Sequence, residues 1–218
     1  LLNHVDDQIR RLLNPYRGVD VMTKNNTAVI FTSDHGEMLG DHYRWHKVVP
    51  YEPSARVPML IRAPKRFGIS PGTVVNQAVS LADVMPTILD LADVPIPPGV
   101  EGRSLLPLSR GESVPPREPI HIEHAPVHHA LTDGREKYIW FVADGREQLF
   151  SLVDDPTECH DLAPDPEAAD RLTHWRNLLI KRLAGRAEGF SDGTQLVPGR
   201  ECPSVYSPAA GDAREDTP

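Results

Sequence analysis

The chain has 218 residues, 39% of them hydrophobic, enough to build a real core and to exclude wholesale disorder. Its 31 acids against 23 bases leave a net charge of -8 with no basic run, which offers nucleic acid or an anionic membrane surface nothing to hold. No apolar stretch nears the roughly 20 residues of a bilayer span, and two cysteines, Cys159 and Cys202, are too few for a disulfide scaffold.

Leu2, Val5, Ile9, Leu12 and Leu13 recur at helical spacing, with Asn3, Asp6, Asp7, Arg10 and Arg11 on the other face. The chain therefore opens in an amphipathic helix, which Asn14-Pro15 ends. Neither an initiator methionine nor a capping residue precedes the pattern, so residues are expected to be missing upstream. Arg17 to Thr27 is a polar connector. Ala28 to Phe31 is short, β-branched and aromatic, and reads as a buried strand whose carboxyl end is Ser33-Asp34-His35-Gly36. In open α/β sheets that end is where loops aim side chains at ligands. Gly36 and Gly40 permit tight turns, and a long loop runs on through His42, Trp45, His46 and Lys47 to Tyr51-Glu52. Val57 to Ile61 reads as a second strand, with Pro58 tolerable near its start.

Ser80 to Ala92 carries Leu81, Val84, Ile88, Leu89 and Leu91 in a helical pattern, and Pro86 fits only a first turn, which predicts a helix from about Asp83 to Ala92. Pro95 to Pro119 is rich in Pro, Gly, Ser and charge and reads as a surface linker. Three strand-like runs follow, Ile120–Ile122, Lys137–Phe141 and Gln148–Leu152, with Asp133-Gly134 and Asp144-Gly145 as hairpin signals, so a small antiparallel sheet is expected. His124, His128 and His129 fall in the loop before the second run and read as surface histidines. Asp165-Pro166-Glu167 supplies a cap, a proline at the first helical position and an early acid. Leu172, Trp175, Leu178, Leu179 and Leu183 then form a stripe expected to cover the small sheet. After Gly189 composition turns Gly-, Pro- and Ser-rich, and a mobile tail is expected from about Pro203.

The chemistry concentrates between Asp34 and Lys47. With a turn at Gly36, Asp34 and His35 can offer one oxygen and one nitrogen to a divalent cation; a carboxylate suits Ca²⁺ or Mg²⁺, and the imidazole moves the preference toward Mn²⁺, Fe²⁺ or Zn²⁺. Two ligands do not complete a site, and an Asp capping a turn beside a surface His explains the triplet equally well. Lys47, His42 and His46 bring positive charge nearby, which suits an anionic ester. A lysine ammonium neutralises a sulfate or phosphate oxygen, a metal polarises another, and a histidine gives a proton to the departing alkoxide. A solvated loop face accounts for His42 and His46 as readily, and Trp45 reads as packing.

Thr32-Ser33-Asp34-His35-Gly36-Glu37, followed by Leu39-Gly40-Asp41-His42, Trp45, Lys47, Tyr51-Glu52 and Ser54-x-Arg56-Val57-Pro58, closely resembles the sulfatases of the alkaline-phosphatase superfamily. His4 to Ile9, Asp83 to Leu89, Gly102 to Leu105 and the segment from Gln148 to Ala163 extend the resemblance to about Gly193. It implies a partial alkaline-phosphatase-like α/β fold, a mixed sheet with flanking helices plus a small C-terminal antiparallel sheet with a covering helix. The chain would divide into part of the catalytic domain (1–110), a small α+β subdomain (111–190) and an extended tail (191–218). It further implies metal-assisted hydrolysis of a small sulfate ester. Asp34 and His35 match metal ligands for one divalent ion, Ca²⁺ or Mn²⁺; Lys47 matches the lysine that contacts the sulfate; Arg56 matches a structural position.

The nucleophile of that family, a formylglycine made from Cys or Ser in a Cys-x-Pro-x-Arg type motif, has no counterpart here. Cys202-Pro203-Ser204 has Ser204 where proline should stand and Tyr206 where arginine should, and Cys159 has neither. The formylglycine is expected upstream, and the chain alone is expected to be inactive. Two alternatives stay open: a phosphonate monoester or phosphodiester hydrolase on the same scaffold, and an inactive remnant or binding module.

Overall fold

The computed structural model describes residues 2–13, 26–124 and 126–200. The tail expected from Pro203, Cys202 and most of the connector from Arg17 lie outside the described residues. The chain divides into two compact units, one drawn from Leu1–Asp34 and Pro58–Pro116, the other from His35–Val57 and Arg117–Pro218. The loop after Asp34 thus groups with the C-terminal half of the sequence rather than with the strands that flank it. No helix among the described residues is long and apolar enough to cross a membrane.

In the first unit, α1 (Leu2–Leu13) matches the predicted amphipathic helix and buries none of its residues. β1 (Val29–Thr32) pairs antiparallel with β2 (Met59–Arg62), Val29 opposite Arg62 and Thr32 opposite Met59. Pro58 stands just before β2, where its missing N–H removes nothing from the ladder. α3 (Val84–Leu91) is led in by a capping box: Ser80 Oγ accepts from the Ala82 N–H, and the Ser80 N–H donates to Asp83 Oδ2. The segment from Pro95 to Pro119 is more than the linker its composition suggested. It folds into α4 (Leu106–Ser109), with Leu105 and Leu106 buried. Its backbone is tied to the start of α3: the Arg103 N–H donates to Asp83 Oδ1 at 2.8 Å and the Leu105 N–H to Thr87 Oγ1 at 2.9 Å. Gly102 makes that approach possible, since a Cβ there would lie 1.9 Å from the Ala82 carbonyl oxygen.

In the second unit, β3 (Ile120–His124), β4 (His128–Thr132), β5 (Glu136–Phe141) and β6 (Glu147–Ser151) form an antiparallel meander in that order. The small sheet is present, with four strands instead of the three runs expected. β4 is the addition, and it corrects the reading of its histidines: His128 and His129 are 2% and 0% exposed, not surface residues. Their polar type hid a strand with every residue buried. α5 (Ala169–Leu183) starts as predicted, Asp165 accepting from the Glu167 N–H ahead of Pro166. Its Trp175, Leu179 and Leu183 close over Leu131, Tyr138, Trp140 and Leu149 on one sheet face. Period-2 alternation sends Ala130, Ile139 and Phe150 to the other face, where Met38, Val49 and Tyr51 cover them. Residues 190 to 200 pack back on this unit: Phe190 and Ser191 are buried, Ser191 bridges to Leu196, and the Gly199 N–H donates to the Val142 carbonyl.

Candidate active site

Asp34 follows β1 by two residues and is exposed, with Ser33 Oγ 3.3 Å from its Oδ1. His35 opens the excursion that belongs to the second unit. The Gly36 and Glu37 N–H groups donate to the carbonyls of Ser54 and Pro53, so the excursion is clamped at its root. Glycine is required there: a Cβ on residue 36 would meet the Pro53 oxygen at 2.0 Å. The Asp-His-Gly triplet is therefore a backbone crossing as well as a pair of polar side chains.

The same crossing fixes His35. Its Nδ1 lies 2.7 Å from the Gly36 carbonyl oxygen, which can only accept, so the ring proton sits on Nδ1 and Nε2 presents a lone pair. Lys47 Nζ is 2.7 Å from that Nε2. An imidazole acceptor and an ammonium, twelve residues apart in sequence, thus meet at one point, and the acceptor already holds a cationic group. Ser54 Oγ donates to the Lys47 carbonyl at 2.8 Å and pins the backbone beneath the lysine.

The other loop residues divide. His42 adopts a left-handed backbone (φ 51°), stacks on Tyr51 at 4.2 Å and places Nε2 3.0 Å from the Thr157 carbonyl. Its ring is engaged in packing the loop on the segment after β6. His46 is exposed and bonds through its backbone, donating to the Glu37 carboxylate and accepting from the Met38 N–H. Trp45, expected to pack, is 65% exposed.

Behind the loop lies a charged cluster that the sequence did not reveal. Lys137, on the inner face of β5, is fully buried with Nζ 2.9 Å from Glu52 Oε1 and 2.8 Å from Glu158 Oε1. Glu158 also accepts from the Glu52 N–H at the start of α2 (Glu52–Ala55). Burial pushes the Glu158 carboxyl up from the ordinary range, opposed by the Lys137 charge. A lysine at an inward position of an apolar strand was the available signal, since such a charge must be paired. Tyr51, whose hydroxyl donates to Gln148 at 2.8 Å, is likewise pushed up, mainly by burial.

A model of the C-terminal region of N-sulphoglucosamine sulphohydrolase matches residues 40–184. The chain belongs to the sulfatase family. This sulfatase chain is 40% identical over 202 residues to an arylsulfatase of Clostridium perfringens, covering 91% of its own length and 42% of the relative's. It therefore spans less than half of that relative. Among solved structures, one described as a complex with its substrate D-glucosamine-2-N,6-O-disulfate superposes with a TM-score of 0.69 at 29% identity, over 84% of this chain and 38% of the other. The phosphonate monoester hydrolase of Agrobacterium radiobacter gives 0.66 at 27% identity, over 81% and 38%. These neighbours agree with a partial alkaline-phosphatase-like fold for the sulfatase, its C-terminal portion.

Proposed function

We propose that this chain is the C-terminal part of a sulfate-ester hydrolase in which Asp34 and His35 hold one side of a divalent cation and Lys47 meets the anion. The observation that supports it is the 2.7 Å contact of Lys47 Nζ with His35 Nε2, which brings a fixed positive charge and a ligand nitrogen together on one clamped loop. A carboxylate oxygen of Asp34 and the Nε2 lone pair of His35 are donors suited to such an ion, Ca²⁺ or Mn²⁺; that nitrogen has one lone pair, so on this reading Lys47 Nζ would give way to the ion and turn to the anion. When bound, the cation polarises a sulfate oxygen as a Lewis acid. Lys47 neutralises a second oxygen as charge develops, and the exposed His46 is the loop histidine left to pass a proton to the leaving alcohol. The nucleophile, a formylglycine on this reading, would come from outside these 218 residues, which cover 42% of the Clostridium perfringens relative.

Kinetics on the full-length protein test this. A larger kcat/KM for aryl sulfates than for aryl phosphonates supports the assignment. The reverse order favours the phosphonate hydrolase reading, to which the Agrobacterium radiobacter neighbour lends weight. The 218-residue chain by itself is inactive on this account, and metal-dependent turnover by it would overturn the placement of the nucleophile elsewhere.

A further inference from the structure

We propose that His121, Glu123 and His129 form a cation site of the Zn²⁺ type on the α5 face of the small sheet. None of them takes part in the chemistry assigned to Asp34, His35 and Lys47. The site follows from strand geometry. His121 and Glu123 are two residues apart on β3, so both project to one face, and the register places His129 of β4 directly opposite Glu123. One ligand atom from each of the three lies within 4.8 Å of the other two. His121 Nε2 is 3.1 Å from His129 Nδ1, and Glu123 Oε2 is 3.7 Å from His129 Nδ1. Ligand atoms around a tetrahedral Zn²⁺ at Zn–N near 2.0–2.1 Å lie about 3.3–3.4 Å apart, between these two values.

The surroundings favour a cation over a plain hydrogen bond. His129 is fully buried, its Nε2 has no polar partner among the described residues, and its ring is flanked by Trp140 and Phe190. Nε2 can hold the ring proton there and leave the Nδ1 lone pair facing His121 and Glu123. Glu123 is gripped by Arg186, whose Nη1 is 2.7 Å from Oε2, and Arg186 is in turn balanced by Glu188 at 2.7 Å. That arrangement orients the carboxylate, and two acids against one guanidinium leave one negative charge in excess on the cluster. A carboxylate oxygen has lone pairs enough to serve Arg186 and a metal together. Two imidazoles and one carboxylate, with a fourth position toward solvent on the half-exposed Glu123 side, suit Zn²⁺ better than a hard cation. The ion would staple the edge strand β3 to β4.

Equilibrium dialysis of the metal-stripped full chain against Zn²⁺, with Co²⁺ as a visible-absorption probe of tetrahedral coordination, tests the site. One equivalent is expected to bind at these three residues, counted apart from any ion held by Asp34 and His35. Glu123→Gln and His121→Asn, with folding verified by circular dichroism, are each expected to weaken it roughly tenfold or more, while the double variant Asp34→Asn/His35→Asn keeps it. Absence of uptake by the wild type, or equal uptake by Glu123→Gln and wild type, would overturn the proposal; neither result bears on sulfate hydrolysis.

Discussion

The sheet of β3 to β6 is covered on both faces, by α5 on one and by Met38, Val49 and Tyr51 on the other, and Trp140, Tyr138 and Leu149 are shut off from water. The β1–β2 pair has no such cover among the described residues: Phe31 and Leu60 stay 41% and 57% exposed, and the apolar stripe of α1 buries nothing. Two strands alone are marginal in water, whereas four strands with a helix on one face make an independent core. His35 and Lys47 ride on a segment packed against the finished sheet, and Asp34 ends the stretch that leads out of the sparse hairpin.

The largest effect that would probe this contrast is expected behind the loop. Lys137→Met leaves the buried Glu158 and the part-buried Glu52 without their cation and should destabilise the second unit by about 3–5 kcal/mol, read as a lowered urea midpoint. Adding Glu158→Gln should recover part of that loss; if it recovers none, the cluster is not coupled. Next comes Lys47→Ala in the full-length enzyme, which should lower kcat by about 10²–10³ with little change in thermal stability, because the side chain is exposed. A drop confined to KM would sink the transition-state role.

Acid should act on the sheet rather than on the hairpin. Burial pushes His128 and His129 down from 6.5 to about 4, with neighbouring histidines adding to the effect. Between those values the unfolded chain takes up protons that the folded one refuses. Stability from these groups is therefore complete above pH 6.5, is lost as pH falls toward 4, and amounts to at most about 3 kcal/mol for each. Glu158, with its carboxyl pushed up, works the other way, contributing at low pH and losing that contribution as pH rises through its raised value. Urea midpoints of metal-free protein at intervals from pH 7.5 to about 4 measure the balance, and His128→Gln should remove roughly half of the histidine-driven fall. The smallest effect is local: Leu60→Ala, on the exposed side of β2, should change stability by no more than about 0.5 kcal/mol. Amide exchange should be slower in β4 and β5 than in β1 and β2.

Where periodicity and caps were unambiguous, the chain could be read directly. α1 and α5 fall on their predicted stripes, Asp165 caps as expected, and α5 covers the small sheet. Failures came from burial that polar residue types conceal. β4 was hidden because two of its five residues are histidines, and α4 because proline, glycine and charge surround Leu105 and Leu106. Asp34, His35 and Lys47 stand out by residue type and by the resemblance to sulfatases, and the structure brings Lys47 and His35 into contact on one clamped loop. What spacing could not supply was the packing of that loop on a sheet encoded some seventy residues later, because the bonds that fix it run from Glu52 to Lys137 and Glu158. Such long-range pairings leave no local periodicity.

The Glu52–Lys137–Glu158 cluster also sets a rule for recombining this sheet with other scaffolds. Its members come from the excursion, from β5 and from the segment after β6, so a crossover anywhere between residues 57 and 136 separates Glu52 from the other two. A chimera assembled that way inherits either a fully buried lysine without its full complement of acids or a part-buried acid without its lysine. Swaps should carry the three residues as one inherited unit, or replace all three with apolar side chains of matching volume.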